Sequence, residues 1–402
     1  MKLLLIVVST LTFAACTTSL FATDQSSGPQ SENIAARSPF SNCRIRFERE
    51  KRGHVAFIGG SITEMNGYRP MVCEFLRERF PQTEFKFTDA GISSTCSTTG
   101  AFRLATDVLS KGPVDLFFVE FAVNDDQDAM HARRECIRGL EGIIRHCRQH
   151  NPNMDIVVTY FVNPSMLETL QNDKQPLSIA AHADVAEHYG VSTIHLAREV
   201  AQRITTGSLT WDVYGGTHPK PAGNRVCADM IGSMLSTAWS KPLPANAKLQ
   251  PRPSPEKLLD ENSYSSGRFA NPSQAKVISG WSLGIPDWQQ LPGGKRARFN
   301  ELPMLHATKP DSEMTLKFTG RAIGAYVVAG PDAGIVEASI DGCEFTKHDL
   351  FHRFSKGLHY PRTVMFNADL PPGEHTLRLR ISSEHNPASS GTAARIIQFC
   401  AN

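Results

Sequence analysis

Val55-Ala56-Phe57-Ile58-Gly59-Gly60-Ser61-Ile62-Thr63 runs four apolar residues into two glycines and a serine. A short apolar run closed by turn residues reads as a strand buried on both faces, as in a parallel sheet. Two glycines at its end permit a tight turn that residues with side chains resist. Such a turn lifts the Ser61 hydroxyl out at the start of the next helix. A serine is a poor nucleophile until a base takes its proton. Taken alone, Gly-Gly-Ser is also a common turn, so the rest of the chain must decide its meaning.

Outward from this stretch the pattern alternates from His54 to about Trp239. Strands are predicted at Val55–Ile58, Phe85–Thr88, Leu116–Ala122, Ile156–Tyr160 and Ser192–Ile194. Helices are predicted at Pro70–Phe80, Phe102–Leu109, Ala132–His150, Ser178–Tyr189, Leu196–Thr206 and Asn224–Trp239. Strands alternating with helices imply right-handed crossovers and a five-stranded parallel sheet covered on both faces. Ligands bind such sheets beyond the carboxyl ends of the strands.

Lys241–Glu256 carries five prolines and reads as a linker. Beyond it, Thr315–Phe318, Gly324–Val328, Val336–Ile340, Arg362–Phe366 and His375–Ile381 are short strand-type runs separated by turn residues, the pattern of an antiparallel sandwich, jelly-roll-like in type. A chain of 402 residues exceeds one compact core. The expected division is an export signal over 1–22, a polar tether over 23–42, an α/β domain over 43–240, the linker over 241–256 and an all-β domain over 257–402.

The polar residues that could do chemistry fall on the predicted sheet edge. Asp89-Ala90-Gly91-Ile92-Ser93 follows the second strand, and Gly91 offers a bare backbone N–H. Glu120-Phe121-Ala122-Val123-Asn124-Asp125 puts Asn124, an amide donor or a loop cap, where the third strand meets its loop. With the Ser61 N–H these donors can surround one oxyanion. Gly215-Gly216-Thr217-His218-Pro219 precedes the closing helix, and His218 titrates in the range that suits a base and then an acid. Glu64 and Arg69 line the pocket or simply begin a solvated helix. Glu120, among apolar residues, is expected to pair with an arginine such as Arg103. His146 and His150 have helical i,i+4 spacing but no zincin glutamate, so a polar helix face is preferred and no metal is expected.

Gly59-Gly60-Ser61-Ile62-Thr63, Gly91, Asn124-Asp125 and Thr217-His218-Pro219 stand in the order of the four blocks of the SGNH/GDSL hydrolases, which this sequence resembles over roughly His54 to Trp239. The resemblance implies a flavodoxin-like α/β/α fold and ester hydrolysis without a cofactor. It implies Ser61 as nucleophile and His218 as base, with the Ser61 N–H, Gly91 N–H and Asn124 amide as oxyanion hole. Asn66-Gly67-Tyr68-Arg69-Pro70 and Gly100-Ala101-Phe102-Arg103-Leu104 look similar to a bacterial branch associated with polysaccharide O-acetyl groups. Two positions depart from the family. Gly60 stands where Asp is usual, and Gly215 stands where an Asp three residues before the histidine is usual. Asp212 is the nearest upstream carboxylate, so either Asp212 completes a triad or the pair acts as a dyad.

Composition narrows the class. Hydrophobic residues make up 41% and charged residues 20%, with net charge +2, which is ordinary globular sequence without the basic footprint of a nucleic-acid binder. Lys2 followed by Leu3–Val8 and Leu11–Ala15 has the layout of a secretory signal. Phe13-Ala14-Ala15-Cys16 resembles a lipobox, leaving lipidation at Cys16 or plain cleavage as the alternatives; export to the periplasm, the outer membrane or the medium follows. Export permits disulfides, Cys343 and Cys400 being one conceivable pair, while no CxxC spacing marks zinc or redox chemistry. The expected function is hydrolysis of small acyl esters, acetyl above all, on a carbohydrate. A lipid esterase or thioesterase is the enzymatic alternative. An exported glycan-binding lipoprotein with an inactive hydrolase domain is the other, for which Trp281, Trp288, Tyr326 and Tyr360 could form an aromatic platform, although core or interface packing is the preferred reading of each. The oligomeric state is not legible.

Overall fold

The apolar run at residues 55–58 forms the middle of a strand because every one of its side chains is buried, above and below the sheet. A computed structural model describes residues 32–402; the expected signal and lipidation site at Cys16 lie outside them. The first sheet contains β1 (Ile34–Ala35), β2 (Arg52–Gly59), β3 (Glu84–Gly91), β4 (Leu116–Glu120), β5 (Asp155–Thr159) and β6 (Ser192–Ile194), in the order β1-β6-β5-β4-β2-β3. The five strands β2 to β6 are parallel and follow the flavodoxin-like order. β1 adds a sixth, antiparallel to β6. After β2 the chain passes to β3 on one side and then crosses to β4 on the other. This reversal of winding leaves a crevice at the carboxyl end of β2. Ser61 sits there.

The tether expected over 23–42 is not free in its described part. The Asn33 side chain donates to Glu199 and Gln202, Ile34 and Ala35 pair with β6, and Arg37 donates to the Val191 carbonyl at 3.1 Å. Residues 241–256 have no regular structure but are strapped down. Asn42 exchanges hydrogen bonds with both backbone groups of Gln250, and Arg252 pairs with Asp155 at 2.6 Å. Both segments read as linkers because their bonds go to distant polar groups, a pattern that hydropathy cannot reveal.

The second domain stacks two antiparallel sheets. One contains β7 (Arg268–Ala270), β9 (Ser282–Gly284), β10 (Met304–Ala307), β12 (Ile323–Ala329), β15 (Tyr360–Asn367) and β17 (Ala394–Ala401). The other orders β14 (Thr346–Asp349), β13 (Ile335–Ile340), β16 (Gly373–Ile381), β11 (Glu313–Gly320) and β8 (Lys276–Ser279). Leu316, Val327, Leu379, Ile396 and Phe399 fill the space between them. The core of the first domain continues into Phe299, Tyr326, Ile397 and Cys400 of the second, so the two share apolar contact. All eight cysteines among the described residues are free thiols, Cys343 exposed and Cys400 buried, and the conceivable bridge between them is absent.

Candidate active site

Three loops leave the carboxyl ends of β2, β3 and β4 side by side, and a fourth precedes the helix Pro221–Ala238. In the first, Ser61 opens a single helical turn, Ser61–Glu64. Glu120, the last residue of β4, lies opposite Gly59 in register. Its Oε1 accepts from the Gly60 N–H at 2.9 Å, the Thr63 N–H at 3.2 Å and the Thr63 hydroxyl at 2.8 Å. One buried carboxylate oxygen therefore holds the turn on both sides of Ser61. Arg103, the partner expected for Glu120, instead donates to the carbonyls of Ala90 and Gly59 and to Asp107. Burial pushes the Glu120 carboxyl up to about 7, against the lowering effect of Thr63 and Gly60. Its other oxygen is buried without a hydrogen bond.

The glycines are fixed by their neighbours rather than by backbone strain. A Cβ on Gly59 would strike Glu120, and one on Gly60 would strike the Asn124 amide. Gly60 has φ −86°, which any residue adopts. Its lack of a side chain, where the SGNH pattern usually has Asp, therefore follows from Asn124. A Cβ on Gly91 would meet the backbone of Thr63 and Glu64, so the second loop lies directly on the first.

Ser61 Oγ and His218 Nε2 are 2.7 Å apart, with Ser61 half-buried and His218 exposed. The His218 loop begins at the one-turn helix Trp211–Tyr214, capped by the Thr210 hydroxyl. It turns through Gly215 (φ 109°) and Gly216 (φ 85°), left-handed values that favour glycine. Pro221 in the first turn of the next helix fixes the exit. Asn224, which sequence reasoning passed over, donates to the Pro219 carbonyl at 2.6 Å and anchors the loop beside His218. Its signal was positional: a polar residue in the first turn of a helix, facing inward.

Asp212 lies on the one-turn helix with an exposed carboxylate. Among the described residues His218 forms no ion pair with a carboxylate, and Asp212 is engaged through its backbone carbonyl, which accepts from Lys220 Nζ at 3.1 Å. Asn124 starts a π-helical turn, Asn124–Asp128, and its amide donates to Asp128 at 2.6 Å. The Gly91 N–H donates to the Asp89 carboxylate at 2.9 Å, and Arg69 pairs with that same carboxylate at 2.7 Å. Glu64 accepts from the Ser93 N–H at 2.8 Å and from Arg298 at 3.0 Å. Arg296 donates to the Ser93 carbonyl and the Ser94 hydroxyl at 2.7 and 2.8 Å. Two arginines of the second domain thus brace the Gly91 loop, a contact across more than two hundred positions that no local pattern announces. The four aromatics considered as a platform do not form one: Trp281, Tyr326 and Tyr360 are buried, and Trp288 is packed on the core.

A serine hydroxyl on an imidazole, at the switch point of a parallel sheet and beside amide donors, is an arrangement suited to acyl transfer. Residues 57–226 match the GDSL-like Lipase/Acylhydrolase family. The chain thus carries a GDSL-like hydrolase domain of the SGNH type, that of a carboxylic ester hydrolase. It is similar in fold to a two-domain esterase active on acetylated mannans, crystallised with mannopentaose: TM-score 0.72, 20% identity, covering 92% of this chain and 97% of that one. Partial likenesses include the acetyl xylan esterase AlAXEase, at 19% identity and TM-score 0.39 over 45% of this chain and 98% of that one. A putative GDSL-like lipase from Parabacteroides merdae shows 16% identity and TM-score 0.40 over 47% and 95%. No curated protein matches the sequence.

Proposed function

We propose that this protein is an exported serine esterase that removes acetyl groups from a polysaccharide, with Ser61 as nucleophile and His218 as its base. The observation that carries this reading is the 2.7 Å contact between Ser61 Oγ and His218 Nε2. In the first half-reaction His218 Nε2 takes the hydroxyl proton as Ser61 Oγ bonds the acetyl carbon. The carbonyl oxygen becomes an oxyanion facing the Ser61 N–H, the Gly91 N–H and the Asn124 amide. Collapse breaks the bond to the sugar oxygen, which leaves with the proton held by His218. Water, deprotonated by His218, then attacks the acetyl-serine, releasing acetate and restoring Ser61.

For the Gly91 N–H to serve, its bond to Asp89 must yield as the oxyanion forms; Asp89 keeps Arg69 as partner. His218 acts here without a carboxylate, as a dyad. The carbohydrate is supported by the shared two-domain fold with the mannan esterase and by the exposure of His218, which leaves the rim open to a polymer. The charged and apolar series from Lys2 to Ala15 supports export, with lipidation at Cys16 or plain cleavage near Ala15 or Ala22 as the alternatives.

The test is acetate release from acetylated mannan and acetylated xylan, alongside p-nitrophenyl acetate. Wild type should act on all three and Ser61→Ala on none, with the circular dichroism of the two proteins unchanged. Equal inertness of both proteins, with retention of the polysaccharide, would establish the glycan-binding reading instead.

A further inference from the structure

One cluster outside the esterase site has the chemistry of a metal centre. Cys96, Asp125 and His131 each present a ligand atom within 4.8 Å of the other two. They come from the loops that follow β3 and β4, one residue beyond Asn124 in the case of Asp125. Asp125 is fully buried and its orientation is fixed. The Ser97 N–H donates to Oδ1 at 2.8 Å, and the Ser97 hydroxyl and His182 Nε2 contact Oδ2 at 2.7 and 2.9 Å. Outer partners of this kind orient ligating carboxylates in metal sites.

His131 supplies the second observation. Its Nδ1 is buried and makes no hydrogen bond, although Asp125 Oδ1 is 3.5 Å away. An N–H···O bond would close to about 2.7–3.2 Å. Two ligands bound at about 2.0–2.1 Å to one tetrahedral ion stand about 3.4 Å apart. At this separation a protonated imidazole and the carboxylate form an ion pair, and the same spacing suits two ligands of a shared cation. A sulfur bonded at about 2.3 Å stands about 3.6 Å from either of them, and the three ligand atoms lie within 4.8 Å of one another. A cavity of 230 Å³ opens beside the cluster, lined by Cys96, His131, Glu135, Tyr360 and Arg362 among others, which gives an ion entry and leaves a position for water.

We propose that Cys96, Asp125 and His131 bind one zinc-class divalent ion in the wall of the cavity between the two domains. Thiol, imidazole and carboxylate together select zinc or cobalt over magnesium or calcium, which prefer oxygen ligands alone. Binding releases the Cys96 proton: Cys–SH and M²⁺ give Cys–S–M⁺ and H⁺. The ion ties the loop carrying Gly91 to the loop carrying Asn124. It takes no part in attack on the ester, and its effect is on rigidity.

The test uses the whole protein, stripped with a chelator and titrated with Co²⁺. One equivalent should bind, with a thiolate-to-cobalt charge-transfer band in the near ultraviolet and the strong visible bands of a tetrahedral ion. Zn²⁺ should abolish both bands, and a large excess of Mg²⁺ should leave them. Cys96→Ser should remove the charge-transfer band and His131→Gln should weaken binding at least tenfold, while Cys343→Ser, whose thiol is exposed in the second domain, should change neither. Should Cys96→Ser fail to fold, the wild type decides alone: Zn²⁺ should raise its unfolding temperature where Mg²⁺ does not. Absence of saturable cobalt binding, or the same charge-transfer band in Cys96→Ser, overturns the proposal.

Discussion

The two halves of the proposed catalytic pair are held in opposite ways. Ser61 stands on a strand end that is locked from beneath: Glu120 binds both sides of its turn, and Gly59 and Gly60 admit no added atom. His218 stands on an exposed loop that turns through two left-handed glycines and is fixed by Asn224 and by a backbone bond from Lys220 to Tyr214. A nucleophile must be placed to a fraction of an ångström against the oxyanion donors, and a buried strand end does this. A base that moves protons between serine, leaving group and water gains from tolerance in its loop. Buried contacts thus hold the serine side, and the loop's own hydrogen bonds hold the histidine side.

Variants on the two sides should separate these roles. His218→Ala should lower kcat by about 10⁴ or more, since removing a single member of such a pair costs roughly what removing the whole does. Its unfolding temperature should match wild type, because the side chain is exposed. Kinetics and thermal melts on one preparation would check both. A large drop in stability would contradict the division.

On the serine side, chemistry and stability should fall together. Gly60→Ala places a Cβ where Asn124 Cγ is only 2.7 Å away. Asn124 must be displaced, which should cost about 10²–10³ in kcat, the effect of losing one oxyanion donor. Overpacking should cost a further 1–3 kcal/mol or so of stability. Restoring the Asp usual at this position in the family should do no better, since the obstacle is Asn124.

Glu120 gives the locked side a pH dependence. Its folded pKa, about 7, lies above the ordinary carboxyl value of 4.5, so burial disfavours its charged form. The cost is absent below pH 4.5, grows through the window from 4.5 to 7, and is complete above it. It amounts to roughly 3 kcal/mol at most. Glu120→Gln keeps an acceptor for Gly60 and Thr63 but cannot ionise. Denaturant melts should show wild type losing stability relative to Glu120→Gln as pH rises across that window. A constant difference would mean that Glu120 does not titrate there.

The comparison also explains what was legible in the sequence. Val55–Ile58, Leu116–Ala122 and Ser192–Ile194 announced their strands because both faces of the sheet are covered, and apolar runs record that directly. Ile34–Ala35 is too short to carry a period, and it is a strand only because β6 offers an open edge. Ser61, Gly91, Asn124 and His218 were visible as motifs, each at a strand end or in the final loop. Their present partners were not: Asp89 on Gly91, Asp128 on Asn124 and Arg298 on Glu64 depend on how loops settle against each other. The expected Glu120–Arg103 pair failed for a similar reason. A buried carboxylate needs donors, and backbone N–H groups of the nucleophile turn supplied them before an arginine was required.

The smallest effect expected concerns Asp212. In a triad the carboxylate fixes the imidazole tautomer and stabilises the imidazolium, and replacing it with its amide costs about 10⁴. Here the carboxylate is exposed on the turn before Gly215 and makes no bond to His218, while its backbone carbonyl is held by Lys220. Asp212→Asn preserves that carbonyl and the helical turn, so only the charge is removed. In a dyad, kcat/KM for p-nitrophenyl acetate should then stay within about twofold of wild type. A loss of a hundredfold or more would show that the two glycines let the loop fold over during turnover and carry Asp212 to His218 Nδ1. Motion of the histidine loop would then complete the triad that the resting structure lacks.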